Sequence, residues 1–361
     1  MIRVFVVDDS AIVRKKLTDE LNKYSDIQVV GTAIDPYVAR DKMVRLDPDV
    51  VTLDVEMPRM DGITFLKKIM QYFPKPVIIV SSLTKRGSEL ALEAIEAGAV
   101  EVMSKPGGSY SVGDLSMQLA NVIRAAAKAE LQKKRVYAYK QHKQVAEATG
   151  EAEIDKKPAT GTRISSDKIL TIGASTGGTE AIKQLLLGMP ADSPGTLIVQ
   201  HMPPQFTTTF ASRLNQLCKM EVKEAQDGDR VFLGRVLIAP GNYHMLLKRR
   251  GGEYYVKVKS GPMVHHQRPS VDVLFKSVAA NAGRNAIGAL LTGMGSDGAD
   301  GMVKLREAGA ITFAQSEESS IVFGMPREAI RRQAVDYIAD INEMAGQIMG
   351  AFAEMSGKEQ S

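Results

Sequence analysis

Apolar and polar positions in this chain fall into a repeating pair: a short run of consecutive apolar residues, then a longer stretch whose apolar residues recur at helical spacing. A strand buried on both faces gives the first pattern and an amphipathic helix the second, so their alternation predicts parallel sheets covered by helices. In the first third the strands fall at Arg3 to Val7, Gln28 to Ala33, Val50 to Leu53, Val77 to Val80 and Ala99 to Met103. The pattern fades between about Lys128 and Arg163. It resumes with a strand at Ile169 to Ile172, a helix from Thr179 to Leu187, a strand at Thr196 to Val199 and a helix from about Gln205. Ala286 to Leu291 reads as another buried strand, feeding a helix from Met302 to Ala308. Between them, Arg230 to Ala239 and His244 to Lys259 read as hairpin-like pairs, the second turning at Gly251-Gly252, which makes the second sheet mixed. The expectation is two α/β domains, residues 1–127 and 164–353, with a linker at 128–163 and a tail at 354–361. The second domain is expected to be doubly wound and mostly parallel, with antiparallel hairpins.

Composition narrows the setting. At 361 residues the chain is long enough for two separate cores. A formal charge of +4 gives no strong electrostatic reason to expect nucleic acid or a membrane surface. No apolar run approaches a membrane span, and the chain enters Ile2-Arg3-Val4-Phe5-Val6-Val7-Asp8 with no signal-peptide pattern, so a cytoplasmic location and no membrane insertion are expected. Cys218 stands alone, which excludes an internal disulfide, and its helical surroundings suit a packed, inert thiol. The basic run Lys133-Lys134-Arg135, Lys140, Lys143, Lys156-Lys157, with Tyr137 and Tyr139 among it, fits a solvated helix extension and a flexible linker, Glu147 to Thr162, better than a nucleic-acid site.

In parallel α/β folds ligands gather at the carboxyl ends of the strands. Just past those ends in the first domain stand Asp8 and Asp9, then Asp54, then Ser81 and Ser82, then Lys105-Pro106. Three carboxylates at one sheet edge repel one another unless a hard cation joins them, and oxygen ligands suit Mg²⁺. Asp54 is then the natural phosphoryl acceptor, with Lys105 adding a point charge and the Ser81 hydroxyl able to bond the phosphoryl group.

The second domain carries Gly173-Ala174-Ser175-Thr176-Gly177-Gly178 between a strand and a helix. A serine at the apex of such a turn is lifted clear of the sheet, over a helix N-terminus that favours an oxyanion. A nucleotide-binding turn is the rival reading, but Ser175 stands where a dinucleotide fingerprint needs its second glycine, and the next strand ends in Gln200-His201 with no acidic residue for a ribose. His201 and Asp297 each follow a strand reaching the same edge, so Ser175, His201 and Asp297 fit nucleophile, base and orienting carboxylate. Their chain order, Ser, His, Asp, differs from that of α/β-hydrolases and argues against that fold. His265 and His266 precede a helix with Ser270 as its N-cap and suit loop or substrate contact, while His244 follows a turn and His142 lies in the linker. Five scattered histidines and one cysteine offer no metal-ligand spacing, so no cofactor is expected for this chemistry.

Val6-Val7-Asp8-Asp9-Ser10, Leu53-Asp54-Val55-Glu56-Met57-Pro58, Ile79-Val80-Ser81-Ser82 and Ser104-Lys105-Pro106 together resemble the signatures of two-component response-regulator receiver domains. The resemblance implies a flavodoxin-like fold, phosphorylation on Asp54 by a chemotaxis histidine kinase, Mg²⁺ held by Asp8, Asp9, Asp54 and the carbonyl of Glu56, and sensing through Ser81 and Lys105. The aromatic residue common in the fifth strand of that family is absent from Val100-Glu101-Val102-Met103. The Ser175 turn, Gln200-His201-Met202-Pro203, Pro262 to Phe275 and Leu291 to Ala299 resemble the catalytic domain of chemotaxis protein-glutamate methylesterases. That implies hydrolysis of glutamyl methyl esters, and deamidation of glutamines, on chemoreceptor cytoplasmic helices. It also implies oxyanion stabilisation by the backbone amides of Thr176 and Met294, and a receiver that restricts the Ser175 face until it is phosphorylated. A receiver controlling a catalytically silent binding module is the alternative, and a transcription-factor output is disfavoured by the lack of a helix-turn-helix pattern.

Overall fold

Runs such as Val4-Phe5-Val6-Val7 and Ile78-Ile79-Val80 are apolar at successive positions and so need cover on both faces of their sheet. The computed structural model, which describes every residue except 58–59, 83, 106–111, 129–166 and 358–361, provides it. The chain divides into two compact units, Met1–Glu153 and Ile154–Ser361. The first has five parallel strands, β1 (Ile2–Val7), β2 (Ile27–Ala33), β3 (Val50–Leu53), β4 (Val77–Ser81) and β5 (Glu101–Ser104), in the order β2-β1-β3-β4-β5. Each begins and ends within two residues of its expected bounds. Ser10, Asp35, Asp61 and Thr84 cap the helices that follow. Strand order reverses between β1 and β3, where a crevice opens at their carboxyl ends. The last helix of this unit, Val112–Lys128, ends where the linker is expected, and the rest of that linker lies outside the described residues.

The second unit is built on seven strands, β6 (Ile169–Ala174), β7 (Gly195–Gln200), β8 (Glu221–Glu224), β10 (Arg235–Ile238), β13 (Ala286–Leu290), β14 (Ile311–Gln315) and β15 (Tyr337–Ala339). Their order in the sheet is β15-β14-β13-β6-β7-β10-β8. Every pairing in this sheet is parallel. Among the described residues, antiparallel strand pairing is confined to a separate sheet of β9 (Arg230–Val231), β11 (His244–Arg250) and β12 (Glu253–Lys259), in which β11 and β12 form the hairpin expected at Gly251-Gly252. The expected pair across Arg230 to Ala239 does not form. β9 joins β12, and at Gly234, in left-handed backbone at φ 78°, the chain crosses to the large sheet, where β10 lies parallel between β7 and β8. The large sheet is therefore unmixed.

Two helix limits also differ from expectation. The helix after β13 is Ala299–Glu307, three residues earlier than the local pattern indicates, because its N-terminal amides are capped from another helix, as described below. The last helix, Ile341–Gly357, runs through the start of the expected tail at Glu354 and keeps Phe352 and Ser356 buried. Cys218 ends the helix Phe206–Leu217 and is buried, which pushes its thiol up to about 11.

Candidate active site

At the crevice of the first unit, Asp8, Asp9 and Asp54 bring carboxylate oxygens within 4.8 Å of one another. Asp8 and Asp54 are buried, and Lys105 Nζ reaches Asp54 Oδ2 at 2.8 Å and Asp8 Oδ2 at 3.0 Å. Burial raises both carboxyls above the usual carboxylate range against the pull of that ammonium. Burial alone lowers Lys105, but Asp54 and Asp8 outweigh it and hold the lysine charged. Three carboxylates against one lysine leave an excess negative charge that a divalent cation would balance, so the residues fit Mg²⁺. The Glu56 N–H donates to Asp54 Oδ1 at 3.1 Å, the Glu56 side chain accepts from Ser82 Oγ, and Ser81 Oγ donates to the Gly87 carbonyl at 3.3 Å.

In the second unit, β13, β6 and β7 are adjacent, so the residues that follow them emerge side by side. Ser175 follows β6, and its N–H donates to the Thr292 carbonyl at 3.0 Å. The elbow depends on glycine. A Cβ on Gly293 would lie 2.7 Å from Ser175 Cβ and 2.3 Å from Met325 Sδ, and Gly177 has φ 78°. Thr292 Oγ1 donates to the Thr176 carbonyl at 2.9 Å, orienting the Thr176–Gly177 peptide. Among the described residues, the N–H groups of Thr176 and Met294 donate to no backbone carbonyl.

His201, directly after β7, has Nε2 2.8 Å from Asp297 Oδ2. Since the carboxylate accepts, Nε2 carries the proton, and Nδ1 is buried with no hydrogen-bond partner. Sequence reasoning missed Gln200. Its buried Nε2 donates to the carbonyls of Ser175 at 2.9 Å and His201 at 3.2 Å, tying together the main chains that leave β6 and β7. Its polarity at the end of a strand buried at every position was the available signal.

Asp297 is buried yet held below the ordinary carboxylate range. Burial pushes the other way, but the hydrogen bond and charge of His201, the Asp272 N–H and the Ser270 hydroxyl outweigh it. Its oxygens accept from His201 Nε2, Val271 N at 2.8 Å, Ser270 Oγ at 2.8 Å and Asp272 N at 3.0 Å. Asp297 therefore serves the N-terminus of the helix Val271–Asn281, beside its expected N-cap Ser270. Asp272, in that helix's first turn, accepts at Oδ1 from Gly298 N at 3.1 Å and Gly301 N at 2.7 Å, serving the N-terminus of Ala299–Glu307. Its Oδ2 meets His265 Nε2 and Lys276 Nζ, each at 3.1 Å. His265, Asp272 and Asp297 thus lie together, although their spacing in the chain gave no metal-ligand pattern, and all four carboxylate oxygens are taken up by hydrogen-bond donors. His265 and His266 sit at φ 52° and 59° in the turn closed by Val264 and Gln267. His244 is spent on structure, with Nε2 2.9 Å from the Pro262 carbonyl and Nδ1 accepting from Ser270 N.

Comparison with known proteins agrees with both halves. Residues 4–112 match the response regulator receiver domain family and residues 170–348 the CheB methylesterase family. The protein-glutamate methylesterase/protein-glutamine glutaminase 2 of Syntrophus aciditrophicus is 58% identical over 348 residues, covering 96% of this chain and 98% of the relative. The corresponding protein of Escherichia coli O157:H7 is 51% identical over 350 residues, covering 96% of each chain. The crystal structure of the Thermotoga maritima CheB methylesterase catalytic domain superposes with a TM-score of 0.50 at 34% identity, over 52% of this chain and 98% of that one. The chain therefore belongs to the CheB methylesterase family, in its form joined to a response-regulator receiver domain.

Proposed function

We propose that this protein is a cytoplasmic, phosphorylation-regulated serine esterase that hydrolyses glutamyl methyl esters, and deamidates glutamines, on chemoreceptor cytoplasmic helices. The observation that carries the chemistry is the buried His201–Asp297 contact on the strand next to the Ser175 elbow; His201 Nδ1 has no hydrogen-bond partner, so the Ser175 hydroxyl closes on it only when substrate binds. Ser175 Oγ attacks the ester carbonyl while His201 Nδ1 takes its proton, and Asp297 stabilises the imidazolium that forms. The oxyanion of the tetrahedral intermediate is met by the free amides of Thr176 and Met294, with the N-terminus of the helix Gly178–Leu187 behind the turn. Collapse expels methanol, which takes the proton from His201. Water, deprotonated by the same nitrogen, then attacks the acyl-serine and releases the glutamate carboxylate. A primary amide passes through the same intermediate and releases ammonia.

In the first unit Asp54 accepts the phosphoryl group from a chemotaxis histidine kinase, Asp8, Asp9, Asp54 and the Glu56 carbonyl hold Mg²⁺, and Lys105 and Ser81 bond the phosphoryl oxygens. The metal, when bound, offsets charge on those oxygens. A buried cluster whose charge changes on phosphorylation is suited to bias a two-state element, and phosphorylation raises the esterase rate. The test is methanol release from methylated receptor membranes by the full-length chain, with and without a small phosphodonor. Release should rise with phosphodonor and vanish in Ser175→Ala. Release that persists in Ser175→Ala would overturn the chemistry, and release indifferent to phosphodonor would overturn the regulation.

A further inference from the structure

Asp272 takes no part in the steps above, yet it is fully buried and accepts four hydrogen bonds. Two helices start beside the triad, and each is capped by a carboxylate from the other. Asp297, just before Ala299–Glu307, accepts the first amides of Val271–Asn281, and Asp272, inside Val271–Asn281, accepts the amides of Gly298, the N-cap of Ala299–Glu307, and of Gly301 within it. The exchange is required locally, because the N-cap of Ala299–Glu307 is Gly298, at φ 90° and without a side chain to cap its own helix. It also depends on close approach. A Cβ on Gly301 would lie 2.5 Å from Phe275 Cβ and 3.2 Å from Asp272 Oδ1.

We propose that Asp272 is a positioning residue for the esterase, fixing through Gly298 and Gly301 the turn that presents Asp297 to His201. The inference rests on the triad reading above. Without the Asp272 acceptor, two buried amides lose their partner, and the turn can recover hydrogen bonds only by rotating. Rotation carries Asp297 away from Nε2, and displacement by about 1 Å is enough to cost about a hundredfold in rate. His265 and Lys276 bond the other oxygen, Oδ2, and their side chains are partly exposed, so holding them is a separate duty.

The experiment is a double-mutant cycle in the full-length chain, reading kcat and KM for methanol release from methylated receptor membranes, with Ser175→Ala as blank. Asp272→Leu keeps the number of side-chain heavy atoms, at a larger volume, and removes the acceptor. It should lower kcat by roughly ten- to a hundredfold with KM within about twofold, whereas Asp272→Asn, which keeps an Oδ1 acceptor, should stay within about threefold of wild type. In an Asp297→Ala background, Asp272→Leu should change kcat by less than about twofold, since the group it positions is gone. An equal loss in both backgrounds, or no loss in either, overturns the proposal. If Asp272→Leu shows no cooperative unfolding transition, Asp272→Asn decides: near-wild-type kcat supports the acceptor role and a loss beyond about tenfold overturns it. Activity surviving in Ser175→Ala would overturn the triad reading itself, and this inference with it.

Discussion

A buried carboxylate stays ionised only if donors replace the water it has lost, and Asp297 has four: His201 Nε2, Ser270 Oγ and the amides of Val271 and Asp272. Their net effect lowers its pKa in the fold, and the sign of the consequence follows. The ionised form stabilises the fold fully above the unfolded-chain value of about 3.9, and this contribution is lost as pH falls through the lower folded value. Asp297→Asn keeps the shape and removes the charge. It should cost about 2 kcal/mol at pH 7, the scale of hydrogen bonds to a charged group, and the gap from wild type should narrow below about pH 4. Urea unfolding curves at pH 7 and pH 3 measure this; an equal gap at both would show that the charge contributes nothing. The same substitution should lower kcat by at least about a hundredfold, because an amide cannot stabilise the imidazolium as a carboxylate does.

The turns after β6 and β13 hold the nucleophile as a unit, and glycine at their contact is what lets them meet. The Cβ of Gly293→Ala would fall 2.7 Å from Ser175 Cβ and 3.1 Å from Ser175 N. Met325 can swing aside, but the Ser175 backbone has to move, so the variant should fold yet lose at least about tenfold in kcat. Labelling by a serine-reactive phosphonate, slowed by a similar factor, checks that the loss lies at the nucleophile; unchanged labelling would place it elsewhere. The strands framing these turns were legible because their apolar runs are local signals, and the placing of Ser175, His201 and Asp297 at one sheet edge was legible because each directly follows such a run or its glycine turn. Arg230 to Ala239 was misread because a short polar-apolar alternation does not name its partner: β9 pairs with β12, and β10 with β7 and β8. Asp272 and the true start of Ala299–Glu307 were illegible for one shared reason. Capping rules look within a helix's own sequence, and here the capping carboxylate comes from 26 residues away.

At the scale of the whole molecule, the chain separates two uses of carboxylates into two units. In the first, Asp8, Asp9 and Asp54 face one lysine and carry an excess of negative charge that a cation would balance. In the second, the oxygens of Asp272 and Asp297 are already met by nitrogen and hydroxyl donors, and in the proposed mechanism the proton of the attacking serine goes to an imidazole. The two chemistries should therefore part company when divalent metal is removed. In the full-length protein, EDTA should abolish the rise in methanol release caused by a phosphodonor while leaving basal release within about twofold, if the metal serves phosphoryl transfer alone as proposed. Asp54→Asn should give the same insensitivity to phosphodonor with Mg²⁺ present. Basal release falling with EDTA, and restored by Mg²⁺, would instead place a metal in the ester chemistry and require the hydrogen-bonded carboxylates beside His201 to give up their donors to it.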